Sequence, residues 1–295
     1  MIAQIFSILF PIFFIILVGY AYAHRHSTDM SVPNRLNVSI FIPALIFSIL
    51  SDHSFQIVDY QSLALAGALI ILGPGILLLP VIYFSKIQFK TFIPPMMFTN
   101  TGNMGIPVAL FAFGEQILPS AIVLFLVGST LHFTVGVPLL SQQKSWLGFL
   151  KLPIMQATIA GIIVSLLQIK MPEFILTPID MLGRMAVPLM IFALGVRLTE
   201  IDFTYWKIGM LGAVLCPVSG VAMFLIISPW IQLPSTQLAL LLVYSALPPA
   251  MLNFIIAEQY QQQPLQVASI VLLGNVMSIV SLPIALSFAL RWTEV

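Results

Sequence analysis

Apolar residues run along this chain in ten long stretches separated by short polar breaks. The stretches cover roughly 2–23, 36–51, 62–84, 92–113, 118–138, 153–169, 176–198, 205–229, 235–259 and 265–290. A bilayer core takes roughly 20 apolar residues as a helix, so these stretches predict membrane-spanning helices. The second and sixth are short and need tilt, a thinned bilayer or snorkelling flanks to cross. The predicted fold class is therefore all-α integral membrane, with ten transmembrane helices. The longest polar connections, 23–36, 51–61 and 141–152, are each about a dozen residues, too short for a large soluble domain.

Two stretches do not read as continuous helices. The fourth holds Pro94, Pro95, Asn100, Thr101, Gly102, Asn103, Gly105 and Pro107 at its centre. Glycine and proline disfavour a helix there, because proline lacks the N–H and clashes with the turn before it. The ninth is interrupted some 145 residues later at Ser245-Ala246-Leu247-Pro248-Pro249-Ala250-Met251-Leu252-Asn253. Backbone groups freed at that depth must pack in protein or line a cavity. Paired interruptions in corresponding halves point to a carrier's binding site. The half-helix ends are expected to converge near the membrane centre. Their N-termini offer unpaired N–H groups and a partial positive charge, which suits a carboxylate.

Landmarks recur at an offset of 143–146: Pro43 with Pro188, Pro74 with Pro217, Gly114-Glu115-Gln116 with Ala257-Glu258-Gln259, Gly128 with Gly274, and Pro138 with Pro283. Their shared order predicts two repeats, residues 1–140 (spans 1–5) and 153–295 (spans 6–10), joined by a cytoplasmic linker at 141–152. An odd number of spans per half makes the halves inverted. Lys and Arg in short loops set orientation. Arg25, Arg35, Lys86, Lys90, Lys144, Lys151, Arg197 and Lys207 fall on one side, against Lys170 and Arg291 on the other. That bias predicts odd loops in the cytoplasm and both termini outside. The first stretch has no basic residue before its apolar run and exceeds the roughly 7–15 residue core of a signal peptide. It reads as a retained span, although Ala21-Tyr22-Ala23 mimics a cleavage site.

The motifs in these breaks carry a resemblance. Asn100-Thr101-Gly102-Asn103-Met104-Gly105-Ile106-Pro107 leads into Gly114-Glu115-Gln116, and Ala246-Leu247-Pro248-Pro249-Ala250-Met251-Leu252-Asn253 leads into Ala257-Glu258-Gln259-Tyr260. Both resemble the crossover motifs of the auxin efflux carrier family, which includes the plant PIN-formed carriers and bacterial organic-anion permeases. Leu36–Phe47, ending Ile42-Pro43-Ala44-Leu45-Ile46-Phe47, adds to it. The resemblance covers nearly the whole chain. It implies ten spans in two inverted five-span repeats with crossing fourth and ninth helices, a homodimer, and carrier-type transport of organic anions. Spans 1, 2, 6 and 7 would form a scaffold, and spans 3–5 and 8–10 a mobile transport unit. The long hydrophilic central loop of longer plant members is missing, as in the compact bacterial permeases.

Composition agrees with the bilayer. The chain is 60% hydrophobic and 7% charged, where soluble domains carry about 25% charged residues. A net charge of +1 offers no polybasic surface for nucleic acid. One cysteine, Cys216, excludes an internal disulfide and any multi-cysteine metal site, and reads as a small buried hydrophobe. No P-loop, dinucleotide fingerprint or metalloprotease histidine pair is present, so neither enzyme nor cofactor is expected and the chain itself cannot use ATP. Asp29, Asp52, Asp59 and Asp202 fall in loops.

The candidate substrate-binding residues are Asn100, Thr101, Asn103 and Pro107 at the first break and Pro248, Pro249 and Asn253 at the second. Amides donate and accept, so they either hold a carboxylate or cap the broken backbone. The prolines shape the break. His132 and Asn275, in the fifth and tenth spans, are further candidates; His132 is either proton-linked or bonded to a neighbour. Asn275, close to the repeat-related position of Thr130, is expected to line the same cavity. Asp180 and Arg184, four apart, are placed to pair on a helix, and Glu115 and Glu258 read as solvated helix ends.

The leading expectation is a secondary carrier of small organic anions in the cytoplasmic (inner) membrane. The alternatives are a sodium- or proton-coupled symporter of bile-acid-symporter-like fold and a receptor that binds without transporting.

Overall fold

The computed structural model of the chain describes residues 2–52, 55–85, 87–141, 150–200 and 203–293. Lys86, Lys144, Asp202 and most of the expected 141–152 linker lie outside them. Among the described residues the regular elements are helices, together with one isolated β-bridge.

Seven helices are long and apolar enough to cross a membrane: α1 (Ile2–Arg25), α2 (Ser31–Leu50), α3 (Ile57–Ser85), α6 (Glu115–Leu140), α8 (Glu173–Arg197), α9 (Trp206–Trp230) and α12 (Pro264–Trp292). The three other predicted stretches are where helix length fails. One is a single short helix, α7 (Pro153–Leu166). The fourth stretch is split into α4 (Phe89–Met97) and α5 (Thr101–Phe113), and the ninth into α10 (Ser235–Ser245) and α11 (Leu252–Gln259). The second stretch, expected to be short, is not. Residues 31–35, with the polar Ser31, Asn34 and Arg35, extend its helix to 20 residues.

Helix α1 shows how the sequence sorts its faces. Phe6, Phe10, Phe14 and Leu17 form an exposed stripe at helical spacing, while Ile8, Ile12, Ile16 and Gly19 face the protein. Against water that stripe would be unfavourable; against hydrocarbon it is the solvated face. On the inner face α1 packs closely on α8. A Cβ on Gly19 would meet the Phe192 carbonyl oxygen at 2.3 Å, and one on Gly195 would meet that of Ile16 at 2.0 Å. Only glycine permits that backbone approach.

Two groups of contacts stand out. Helices α1, α2, α7 and α8 pack through α1–α8, α2–α7 and α2–α8. Helices α3, α4, α6 and α9–α12 pack through α3–α4, α3–α6, α3–α9, α4–α9, α9–α12, α10–α12 and α11–α12, and α5 lies between the groups, against α1 and α8 on one side and α6 on the other.

Three prolines leave the same local mark. Asn37–Phe41 before Pro43, Thr101–Gly105 before Pro107 and His132–Gly136 before Pro138 are π-helical turns. A proline ring clashes with the carbonyl of the preceding turn, and widening that turn relieves the clash. Each turn starts with a buried polar residue: Asn37, Thr101 or His132.

Candidate functional site

The two breaks touch. Thr99 and Pro249 form an antiparallel bridge in which the Asn100 N–H donates to the Pro248 carbonyl at 2.7 Å and the Ala250 N–H donates to the Phe98 carbonyl at 2.9 Å. The bonds come from residues flanking the bridged pair. Pro249 is therefore never asked for the N–H it lacks.

The breaks arise differently from the sequence expectation. Pro94 and Pro95 lie inside α4, and the chain leaves the helix only at Phe98, with extended φ −95 and ψ 92. Gly102 and Gly105 are needed for space. A Cβ on either would sit 2.9 Å from the ring of Phe125 or Tyr244 respectively. In the second break Pro248 and Pro249 follow the last turn of α10 and hold the chain extended.

Side chains satisfy most of the freed carbonyls. The Asn253 Nδ2 donates to the carbonyls of Phe98 (2.8 Å) and Ala250 (2.9 Å). The Asn275 Nδ2 donates to those of Pro249 (3.1 Å) and Val271 (2.8 Å), while its Oδ1 accepts from the Asn100 Nδ2 at 3.1 Å. Ser281 Oγ donates to Ala246 at 3.2 Å. The Cys216 thiol, expected to be an inert hydrophobe, lies 3.7 Å from the Pro95 carbonyl oxygen and 3.6 Å from that of Leu247, one from each break. These account for the polar backbone that a buried break exposes.

Beside the crossing lies a cavity of about 120 Å³. It is bordered by residues 98–103 of the first break, 250–252 of the second, Ile71 of α3, and Phe125, Gly128, Ser129 and His132 of α6. Both α5 and α11 begin there. The backbone N–H groups of Gly102, Asn103, Met251 and Leu252 donate no hydrogen bond among the described residues. Neither do the Asn103 amide or the Thr101 and Ser129 hydroxyls. No Asp, Glu, Lys or Arg borders the cavity. Its polar character therefore comes from neutral donors and two positive helix ends.

The candidate residues thus divide by position. Asn100, Thr101, Asn103 and His132 border the cavity. Asn253 and Asn275 are buried beside it and spend their amide hydrogens on backbone carbonyls. Asn275 does not line the cavity with Thr130; Ser129 does, since one residue along a helix turns the side chain by about 100°. Pro107, Pro248 and Pro249 lie outside the cavity wall. His132 is 5% exposed and stacks on Phe98, with ring centroids 4.2 Å apart and planes at 10°. Sequence reasoning did not single out Phe98 or Ser129 for the site; the signal for them was their spacing from Asn100 and His132.

A second cavity of about 810 Å³ lies between α2 and α8 on one side and α5 and the start of α6 on the other. The Arg184 Nε donates to Asp180 at 2.7 Å, the pairing expected from their spacing, and Arg184 also lies 3.6 Å from Glu115. Glu115 stays largely exposed at the start of α6, as expected of a solvated helix end, with this contact in addition. Among the described residues no group of three His, Cys, Asp or Glu side chains is placed to hold a metal.

Residues 136–286 match the family described as membrane transport protein. An uncharacterized transporter of Methanocaldococcus jannaschii is 27% identical over 289 residues, covering 90% of this chain and 92% of that one. A Rhizobium meliloti protein carrying the provisional name malonate transporter is 23% identical over 302 residues, covering 94% of this chain and 93% of that one.

Proposed function

Since the chain belongs to the membrane transport protein family, the auxin efflux carrier group its motifs resemble, we propose that it is a secondary carrier of small organic anions. Carboxylates such as malonate are the leading class, and the site is the cavity where the two broken spans meet. One observation carries this reading. Four uncommitted backbone N–H groups, from the first turns of two half-helices, border a single cavity that holds no carboxylate. Such a site attracts an anion without a buried Lys or Arg, which is costly in a bilayer.

In this reading the substrate carboxylate takes the N–H groups of Gly102, Asn103, Met251 and Leu252. Asn103, Thr101 and Ser129 fix its orientation, and Asn100, Asn253 and Asn275 hold the two breaks in register. The cavity is large enough for several waters or one small acid. The name of the Rhizobium meliloti relative supports a short dicarboxylate.

The wider architecture belongs to the same proposal: ten spans in two inverted repeats, a homodimer, and both termini outside the cytoplasmic membrane. Helices α1, α2, α7 and α8 would be the scaffold against which the remainder moves, elevator-like, to alternate access. The two packing groups described above support that division. Counterflow tests the reading: vesicles preloaded with unlabelled malonate should take up external labelled malonate against its chemical gradient. A receptor that does not transport gives no overshoot.

A further inference from the structure

Around the central cavity the donors are fixed in charge, with one exception. The backbone N–H groups, the Asn103 amide and the Thr101 and Ser129 hydroxyls are neutral throughout the physiological range. His132 is the one bordering side chain whose type titrates between about pH 5 and 8. Its ring lies flat on Phe98, and Gly136 leaves room for the pair. A Cβ there would sit 2.6 Å from the Phe98 ring and 2.9 Å from the His132 ring. Neither imidazole nitrogen has a hydrogen-bond partner among the described residues.

Nothing nearby competes for the proton. The ionisable groups on the elements packed around α6 are Arg35 of α2, Asp59, Tyr60 and Tyr83 of α3, Lys90 of α4, Glu115 at the start of α6, Tyr244 of α10 and Glu258 of α11. None borders the cavity. Lys90 and Glu258 are exposed at helix ends, and the buried Tyr244 hydroxyl donates to the Ala121 carbonyl at 3.3 Å.

We infer that His132 is a proton-binding site loaded together with the anion, which makes the carrier a proton–anion symporter. The inference rests on the carrier reading and adds the coupling ion to it. An anion that leaves water for a buried site needs compensating charge. Two helix ends supply only about half a charge each. A proton on His132 supplies a full charge and an N–H donor, and the bound anion in turn favours the protonated ring. On the loading face the imidazole takes a proton from water. On the opposite face the carboxylate leaves and the imidazolium returns that proton to water. No bond to the substrate is made or broken.

The test uses full-length protein in proteoliposomes with the membrane potential clamped at zero, labelled malonate as probe, and an internal pH indicator. An inside-alkaline gradient should accumulate malonate to about tenfold per pH unit, the equilibrium for one proton per anion. The interior should acidify in step with uptake. His132→Gln should lose that accumulation, and Phe98→Leu, which removes the stacking ring, should weaken it. Wild-type uptake indifferent to the gradient overturns the proposal and leaves the carrier reading intact. So does coupling that persists in folded His132→Gln, because the proton would then travel on the acid. No uptake under any gradient overturns the carrier reading and this proposal with it.

Discussion

Asn100 and Asn275 stand 175 positions apart in the chain, and their side-chain amides share a hydrogen bond of 3.1 Å. Asn100 sits in one break, while Asn275 reaches from the middle of α12 to the carbonyl of Pro249 in the other. One side chain thereby ties the two interruptions to an unbroken helix. The register of the four N–H groups at the cavity depends on that tie.

Asn275→Ala should therefore destabilise the protein. It removes the acceptor of the Asn100 amide and leaves the Pro249 carbonyl without its side-chain donor. Each buried polar group left unpaired costs about 1–3 kcal/mol. A clear drop in the thermal unfolding temperature in detergent is expected, and an unchanged temperature would show that the tie does not hold the breaks.

Asn103→Ala should behave in the opposite way. The Asn103 amide has no protein partner among the described residues and borders the cavity, so its loss falls on the substrate. A hydrogen bond to a charged group contributes about 1.5–3 kcal/mol, which is roughly a ten- to hundredfold fall in uptake. Thermal unfolding should match the wild type. Normal uptake would take Asn103 out of the site.

Much of this is readable in the chain, and the reasons differ by element. The two breaks are legible because Gly, Pro and Asn are poor helix formers and both stretches concentrate them at their centres, although Gly73-Pro74-Gly75 within the unbroken α3 shows that glycine and proline alone do not end a helix. Their meeting is legible from the pairing of two interrupted apolar stretches some 145 residues apart. The division among the asparagines is not legible. Asn100, Asn103, Asn253 and Asn275 are chemically alike, and only packing decides which amide finds a carbonyl. The role of the glycines is hidden for a similar reason: Gly102 and Gly105 clear room for Phe125 and Tyr244, a demand set by residues distant in sequence. Nor does any local pattern bring Arg184 to Glu115, 69 positions away, at the second cavity.

The Arg184–Glu115 contact joins α8 to the start of α6, both side chains largely exposed. Exposed ion pairs add little to stability, so Glu115→Gln should leave thermal unfolding unchanged. If the two groups of helices move past each other, the contact holds one arrangement. Its removal should raise malonate exchange severalfold at low salt and weaken the salt dependence of exchange. An exchange rate unaltered at any ionic strength would show that the pair does not separate during transport.

Gly195→Ala tests the tight seam between α1 and α8. The added Cβ would meet the Ile16 carbonyl oxygen at 2.0 Å, backbone that cannot rotate away. Forcing the helices apart should cost about 1–3 kcal/mol. A lowered unfolding temperature with weakened α1–α8 packing is expected; wild-type stability would mean the seam opens freely.

The most direct measurement is a structure of the protein with malonate bound. Density is expected in the central cavity, within hydrogen-bond distance of the N–H groups of Gly102, Asn103, Met251 and Leu252 and beside the ring of His132. Malonate found only in the second cavity against Arg184, with the cavity at the crossing holding water, would contradict a binding site at the crossing of the two broken spans.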